Sequence, residues 1–312
     1  MRWTSAYDFP AVSEGKVIKD FVAQRSPAPA SGFAFNTRRK IFEDVRVREA
    51  LAMAFDFEWA NANLFGKAYK RTCGYFSGSA LSSRGKAADA AELAIIGADG
   101  LPPAYLDGSY ELPVSDGSGR DRKVLRAAVG KLGEAGWVIK DGKLLNAAGE
   151  QFAFTLTITN KEQEKIALHF QNTLDQIGVK TDVRLVDAAQ FASLQKTYDY
   201  DMIPATWFNS LSPGNEQKLY FGSAGKTTEG TRNYPGIADP KIDAAIEAML
   251  AAKSRADFEA AVRAEDRLLV AGHYTIPFYD AGGQWVARWS HIGRPDNQPL
   301  PGFEATTLWK TP

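Results

Sequence analysis

QFAFTLTITNKEQEKIALHFQNTLDQIGVKTDVRLVDAAQFASLQKTYDYDMIPATW, residues 151–207, is the stretch that decides the fold. Phe152, Phe154, Leu156 and Ile158 alternate with other residues over 151–159, which predicts a half-buried strand. Ile166, Phe170, Leu174 and Ile177 then recur at helical spacing over 161–177, and Gly178 closes that helix. Val183 and Leu185 mark a second strand, a short helix follows over 188–196, and 200–207 is a third strand. Strand, helix, strand, helix, strand is an α/β pattern with a partly parallel sheet.

Upstream, Leu125, Val129 and Leu132 share one helical face within 120–136. Residues 137–145 form a hairpin on the Asp141-Gly142 turn pair. Residues 66–118 are a long loop-dominated stretch with one helical patch at 88–96, the kind of segment that is usually functional or flexible. Asp44 caps a helix whose apolar stripe is Val47, Leu51 and Phe55, and 33–36 is a short strand. Residues 1–32 read as an irregular connector that ends in a Pro/Ala/Ser run. Downstream, polar loops occupy 209–216 and 222–236. Asp239-Pro240 and the Ser254-to-Asp257 capping pair start two helices, and strands lie at 275–279 and 284–289.

The 312 residues favour two compact bodies. Lys plus Arg and Asp plus Glu each total 37, so the net charge is zero, which argues against nucleic acid as the principal partner. No apolar run of about 18 residues predicts a membrane-spanning helix. The first twenty residues lack the apolar core of a signal peptide. The lone Cys73 allows no internal disulfide. Seven Trp and eleven Tyr suit either a large core or a site that holds ligands by shape.

No metal or cofactor is expected. His169, His273 and His291 are far apart, and no H-x-x-x-H or C-x-x-C spacing occurs. Asp116-Gly-Ser-Gly-Arg120 matches no phosphate loop and reads as a turn before the helix. There is no G-x-S-x-G elbow; a hydrolase would need Cys73 or a serine to meet His273 in the fold. The strand that runs into Trp207 is followed by Asn209, Ser210, Asn215 and Glu216, and the next loop adds Arg232, Asn233 and Tyr234. An aromatic wall beside a few polar groups at a strand end is what a small-molecule cleft needs.

Phe33-Ala-Phe-Asn-Thr-Arg-Arg39, Phe42-Glu-Asp-Val-Arg-Val-Arg-Glu-Ala-Leu51 and Ala54-Phe-Asp-Phe-Glu-Trp59 closely resemble the extracellular solute-binding proteins of family 5. Ala6-Tyr-Asp-Phe-Pro10, Ser210-Leu-Ser-Pro-Gly-Asn-Glu216, Arg232-Asn-Tyr-Pro-Gly-Ile237 and Gly272-His-Tyr-Thr-Ile-Pro277 resemble its YejA-type branch, which is associated with peptide and microcin C uptake. The resemblance spans nearly the whole chain. It implies a periplasmic-binding-protein-like class II clamshell that closes over a ligand. It places 33–198 in a complete second lobe, and 1–32 with 199–312 in part of the first. The signal peptide and the start of the first lobe would precede this chain. A truncated product that binds little is the companion expectation.

The resemblance further implies a non-catalytic, periplasmic component of an ABC importer, a monomer when full length. It would bind an oligopeptide or peptide-like ligand and pass it to the permease. Relatives place an Asp shortly after the strand Trp to hold the ligand's amino group; by spacing from Trp207 that position is Ser210, which carries no charge. Glu216, or a group in the part of the first lobe expected to precede this chain, is the candidate substitute; otherwise the amino end is held differently. On the preceding helix, Gln190, Gln195 and Lys196 would meet the ligand's far end, with Lys196 pairing a carboxylate. Tyr75, Phe76 and Arg38 would approach from the other lobe.

Overall fold

A computed structural model describes Trp3 and residues 6–97 and 100–311. The strands that matter here are β1 (Val17–Ala23), β2 (Ala30–Phe35), β3 (Lys70–Arg71), β4 (Val138–Lys140), β5 (Lys143–Leu145), β6 (Ala153–Ile158), β7 (Lys180–Leu185), β8 (Met202–Trp207), β9 (Thr275–Pro277), β10 (Tyr279–Asp280) and β11 (Gly283–Trp289). Five of them form one mixed sheet in the order β7-β6-β8-β2-β9. β6 runs parallel to β7 and β8, and β2 runs antiparallel to β8 and β9. Helices Lys161–Asp175 and Ala188–Thr197 make the two crossovers of the predicted unit.

Both faces of the sheet are covered, so a strand residue is buried whichever way it points. Phe33 and Phe35 of β2 enter one core with Met202, Leu51 and Phe170. Ala30 and Ala34, offset by one, enter the other core with Trp207, Ile242 and Leu269. Helices Val45–Ala54 and Lys161–Asp175 cover the first face, and Pro240–Ala251 and Arg255–Ala271 the second. Capping follows the sequence closely. Asp44 accepts from the Arg46 N–H, Asp121 from Lys123 and Val124, Asp239 from Lys241, and Ser254 from Asp257. The β4–β5 hairpin turns at Asp141 (φ 50°) and Gly142 (φ 74°), both left-handed as that tight turn requires.

The sheet corrects the division expected at 198/199. β8 lies between β6 and β2, and β9 lies on the free side of β2, so residues on both sides of that boundary build one body. Outside this sheet, β1 pairs with β11 as an antiparallel ribbon in register from Val17↔Trp289 to Ala23↔Gly283. Residues 17–23 were expected in a connector. Lys19 and Asp20 interrupt their apolar pattern, and their pairing partner lies at the far end of the sequence.

Candidate functional site

β3 is short because it has one partner: Tyr279 and Asp280 of β10 pair with Arg71 and Lys70. Beyond it the chain leaves the ladder. Thr72 N donates to Phe278 O at 3.1 Å, and Cys73 N donates to Ser77 Oγ at 3.1 Å. Asp266, buried on helix Arg255–Ala271, anchors the loop that begins there. Its Oδ1 accepts from Tyr75 N at 2.7 Å, and its Oδ2 accepts from Ser83 N at 2.9 Å and Ser83 Oγ at 2.7 Å. Gly74 is required here, since a Cβ would stand 2.8 Å from Asp266 Oδ1.

This loop, residues 110–114, helix Phe57–Asn63 and the segment 269–277 enclose a cavity of about 450 Å³. Tyr69, Tyr75, Tyr110 and Tyr274 are four of its walls, with Phe57 and Leu112 between them. That volume is in the usual range for a small-ligand site. Tyr105 stacks on Tyr110 with centroids 4.2 Å apart, and its hydroxyl meets His273 Nε2 at 2.8 Å. Burial, reinforced by the Arg48 and Lys131 charges, pushes His273 down to about 3, so it is neutral at neutral pH. Burial likewise raises the Tyr75 and Tyr110 hydroxyls, which stay protonated as hydrogen-bonding groups. Cys73 lines the cavity, half-buried, with Sγ 3.5 Å from Ser77 Oγ. Among the described residues no group of three or more His, Cys, Asp or Glu is placed to hold a metal, and no helix is long and apolar enough to cross a membrane.

Of the residues named from the sequence, Tyr75 lines this cavity. Asn209 stands behind it, donating from Nδ2 to Tyr75 O at 2.9 Å and accepting from Gln217 Nε2 at 3.0 Å. Four others are moved from ligand contact to internal support. Trp207 is fully buried, and its Nε1 donates to Arg232 O at 3.0 Å. Phe76 is fully buried in the second core. Asn233 is buried, donating to Gly222 O and Ile237 O and accepting from Ile237 N. Arg38 lies 3.7 Å over the Tyr198 ring and donates to the carbonyls of Gly225, Lys226, Asn233 and Tyr234, which holds the 222–236 loop closed. Ser210, Asn215 and Arg232 are at least partly exposed; Glu216 is half-buried and accepts from Gly214 N at 2.8 Å. Tyr234 is half-buried against Trp207. Gln190 and Lys196 lie on helix Ala188–Thr197, which buries none of its residues. Tyr69, Arg71, Tyr110 and Tyr274 also line the cavity; they come from separate segments and share no spacing that the sequence shows.

One buried acid borders this region without a partner. Glu265 has no exposed surface, and neither of its carboxyl oxygens meets a donor among the described residues. Burial first, then the Asp266 and Glu216 charges, pushes it well above the ordinary 4.5, so the native state keeps a proton that the unfolded chain releases. Its contribution to stability is therefore full below about pH 4.5 and is lost as pH rises toward the folded value. Glu265→Met removes that loss. We expect it to stabilise the protein by about 1–3 kcal/mol at neutral pH, with a gain that shrinks on acidification. Thermal unfolding of both proteins across pH checks this; a pH-independent difference would refute the buried-acid account.

Residues 3–228 match the model of the bacterial extracellular solute-binding proteins, family 5. The chain belongs to this family. Among family members it is 49% identical over 309 residues to the peptidoglycan-binding protein YepA of Agrobacterium fabrum, covering 98% of this chain and 50% of YepA. It is 35% identical over 313 residues to the probable peptide-binding protein YejA of the same organism, covering 99% of this chain and 51% of YejA. The oligopeptide-binding protein AppA of Bacillus subtilis, solved with a nonapeptide, superposes with a TM-score of 0.68 at 19% identity, covering 100% of this chain and 55% of AppA. The class II clamshell fold and the YejA-like branch expected from the sequence agree with these relatives. The chain spans about half the length of the curated relatives it matches.

Proposed function

We propose that this chain is the ligand-holding part of a periplasmic binding protein that takes a peptide or peptide-like molecule and passes it, unaltered, to an ABC permease. The tyrosine-walled cavity carries the proposal. Flat amphipathic rings offer packing surface and hydroxyls without demanding one side chain, which suits ligands recognised mainly by backbone and shape. Tyr75 and Asn209 link the cavity to the loop after β8, whose Ser210, Asn215 and Glu216, with Arg232, form the second part of the proposed contact surface. Gln190 and Lys196 would lie at its margin. The β1–β11 ribbon would belong to the opposing lobe. The names of YepA, YejA and AppA point to the same ligand class.

Isothermal titration with synthetic tri- to pentapeptides is expected to show saturable binding, with every peptide recovered intact by mass spectrometry. Cys73 and His273 border the same cavity, so the same samples test catalysis. Cleavage that disappears in Cys73→Ala or His273→Ala would replace the transport reading with a hydrolase.

A further inference from the structure

We infer that the cavity beside β3 is a carboxylate subsite, so that the ligand is an acidic peptide-like molecule whose acid group is met by Arg71. This rests on the peptide-binding reading above and adds the ligand's charge to it. Arg71 lines the cavity, yet its Nε and Nη1 are enclosed and have no hydrogen-bond partner among the described residues. Its one donated bond runs from Nη2 to Ala52 O at 2.9 Å. No carboxylate among the described residues forms an ion pair with it. Glu58 and Asp56 act on it only from a distance, and a buried guanidinium with two enclosed nitrogens unpaired is costly enough that proteins seldom leave one so. The Phe55 ring, 5.7 Å from the guanidinium carbon, offsets only a small part of that cost.

The other charges around the cavity do not supply the missing partner. Arg84 and Glu111 pair with each other. Glu58 accepts from Ser115 N at 3.0 Å and Ser115 Oγ at 2.9 Å, and Asp56 accepts from Trp59 N and Gly119 N, both at 2.8 Å. Lys70 stands exposed on the same wall, and His273 is neutral. With Arg84 and Glu111 cancelling, Arg71 and Lys70 face Glu58 and Asp56, but both carboxylates are taken up by other donors and neither bonds to Arg71. Burial lowers the Arg71 guanidinium to about 10, which leaves it charged at neutral pH. A carboxylate reaches Nε or Nη1 when the guanidinium turns toward the cavity it already lines; each nitrogen shares an edge with Nη2, and the edge not held by Ala52 O offers two N–H donors to one carboxylate.

Cys73, the chain's single cysteine, provides a reporter inside the cavity. Its alkylation by iodoacetamide would be timed in the presence of the α-amides of N-acetylglutamate and N-acetylglutamine, which differ by one carboxylate. The acid is expected to slow labelling at a concentration about tenfold lower than the amide requires. In Arg71→Met the two compounds should act alike, and in Arg71→Lys part of the preference should remain. Equal protection by acid and amide in the unaltered protein overturns the subsite, as does an acid preference that survives Arg71→Met. If Arg71→Met fails to fold by near-UV circular dichroism, the comparison in the unaltered protein decides alone. Peptides that bind without preferring acids would sink the subsite and leave the peptide reading standing. Protection by the acid with no peptide binding would do the reverse.

Discussion

Arg267→Ala is expected to lower folding stability by about 3–5 kcal/mol, the range for breaking a buried ion pair from one side. Arg267 and Glu92 are each 1% exposed, and Arg267 Nε donates to Glu92 Oε2 at 2.7 Å. The same guanidinium donates from Nη1 to Tyr105 O and from Nη2 to Lys86 O, each at 2.6 Å. One side chain therefore fastens three points of the 84–106 segment to the long helix Arg255–Ala271. Truncation leaves two carbonyls without these donors, while Glu92 keeps only Arg263, at 2.7 Å. Urea unfolding monitored by tryptophan fluorescence measures the loss. Because Arg267 and Glu92 share a direct bond, the Arg267→Ala/Glu92→Ala double variant should cost less than the sum of the two single variants. A loss below about 1 kcal/mol in Arg267→Ala would mean that the network is ornamental. The same segment carries Arg84 and leads to Tyr110 at the cavity, so weaker ligand binding should accompany the lost stability.

Trp207→Ala is expected to be comparably severe, at about 3–5 kcal/mol, because it empties a packed wall of the second core. The ring lies with centroids 5.9 Å from Tyr75, 5.6 Å from Phe221 and 5.8 Å from Tyr234. Trp207→Phe keeps much of the ring but strips Arg232 O of its donor, which should cost about 1–2 kcal/mol. Affinity should fall only through Tyr75, which rests on the indole and faces the cavity. The sequence alone led to a different expectation, a direct affinity loss of about 1–3 kcal/mol from a lost ligand contact. A Trp207→Ala protein of unchanged stability and weakened binding would restore that contact.

The burial of Trp207 has a simple physical source. In a strand with one wet face, alternation tells which way a side chain points. β8 is covered on both faces, so Met202 and Trp207 are both buried although they point oppositely. Local chemistry was far easier to read. Caps at Asp44, Asp239 and Ser254 and the Asp141-Gly142 turn depend on neighbours a few residues away, and all are found in place. The β1–β11 ribbon, the insertion of β8 between β6 and β2, and the cavity walls depend on residues brought together from far along the chain, which no periodicity records. Arg71 was illegible for the same reason: nothing beside it in sequence shows that its guanidinium is enclosed with two nitrogens unpaired among the described residues.

The central place of β2 sets a timetable for folding on the ribosome. β2 is made well before both of its neighbours, residues 202–207 and 275–277. At ordinary rates of synthesis the interval between β2 and β9 is about 10–50 s, far longer than a hairpin or helix needs to form. Throughout it Phe33 and Phe35 belong to a strand with an open edge. The helical crossover at 153–207 can assemble first and take in β2 beside β8, while the other edge of β2 stays open until β9 has been made. A nascent chain of this protein is thus expected to gain from any factor that shields extended apolar segments, and slowing translation after residue 207 should lengthen that dependence.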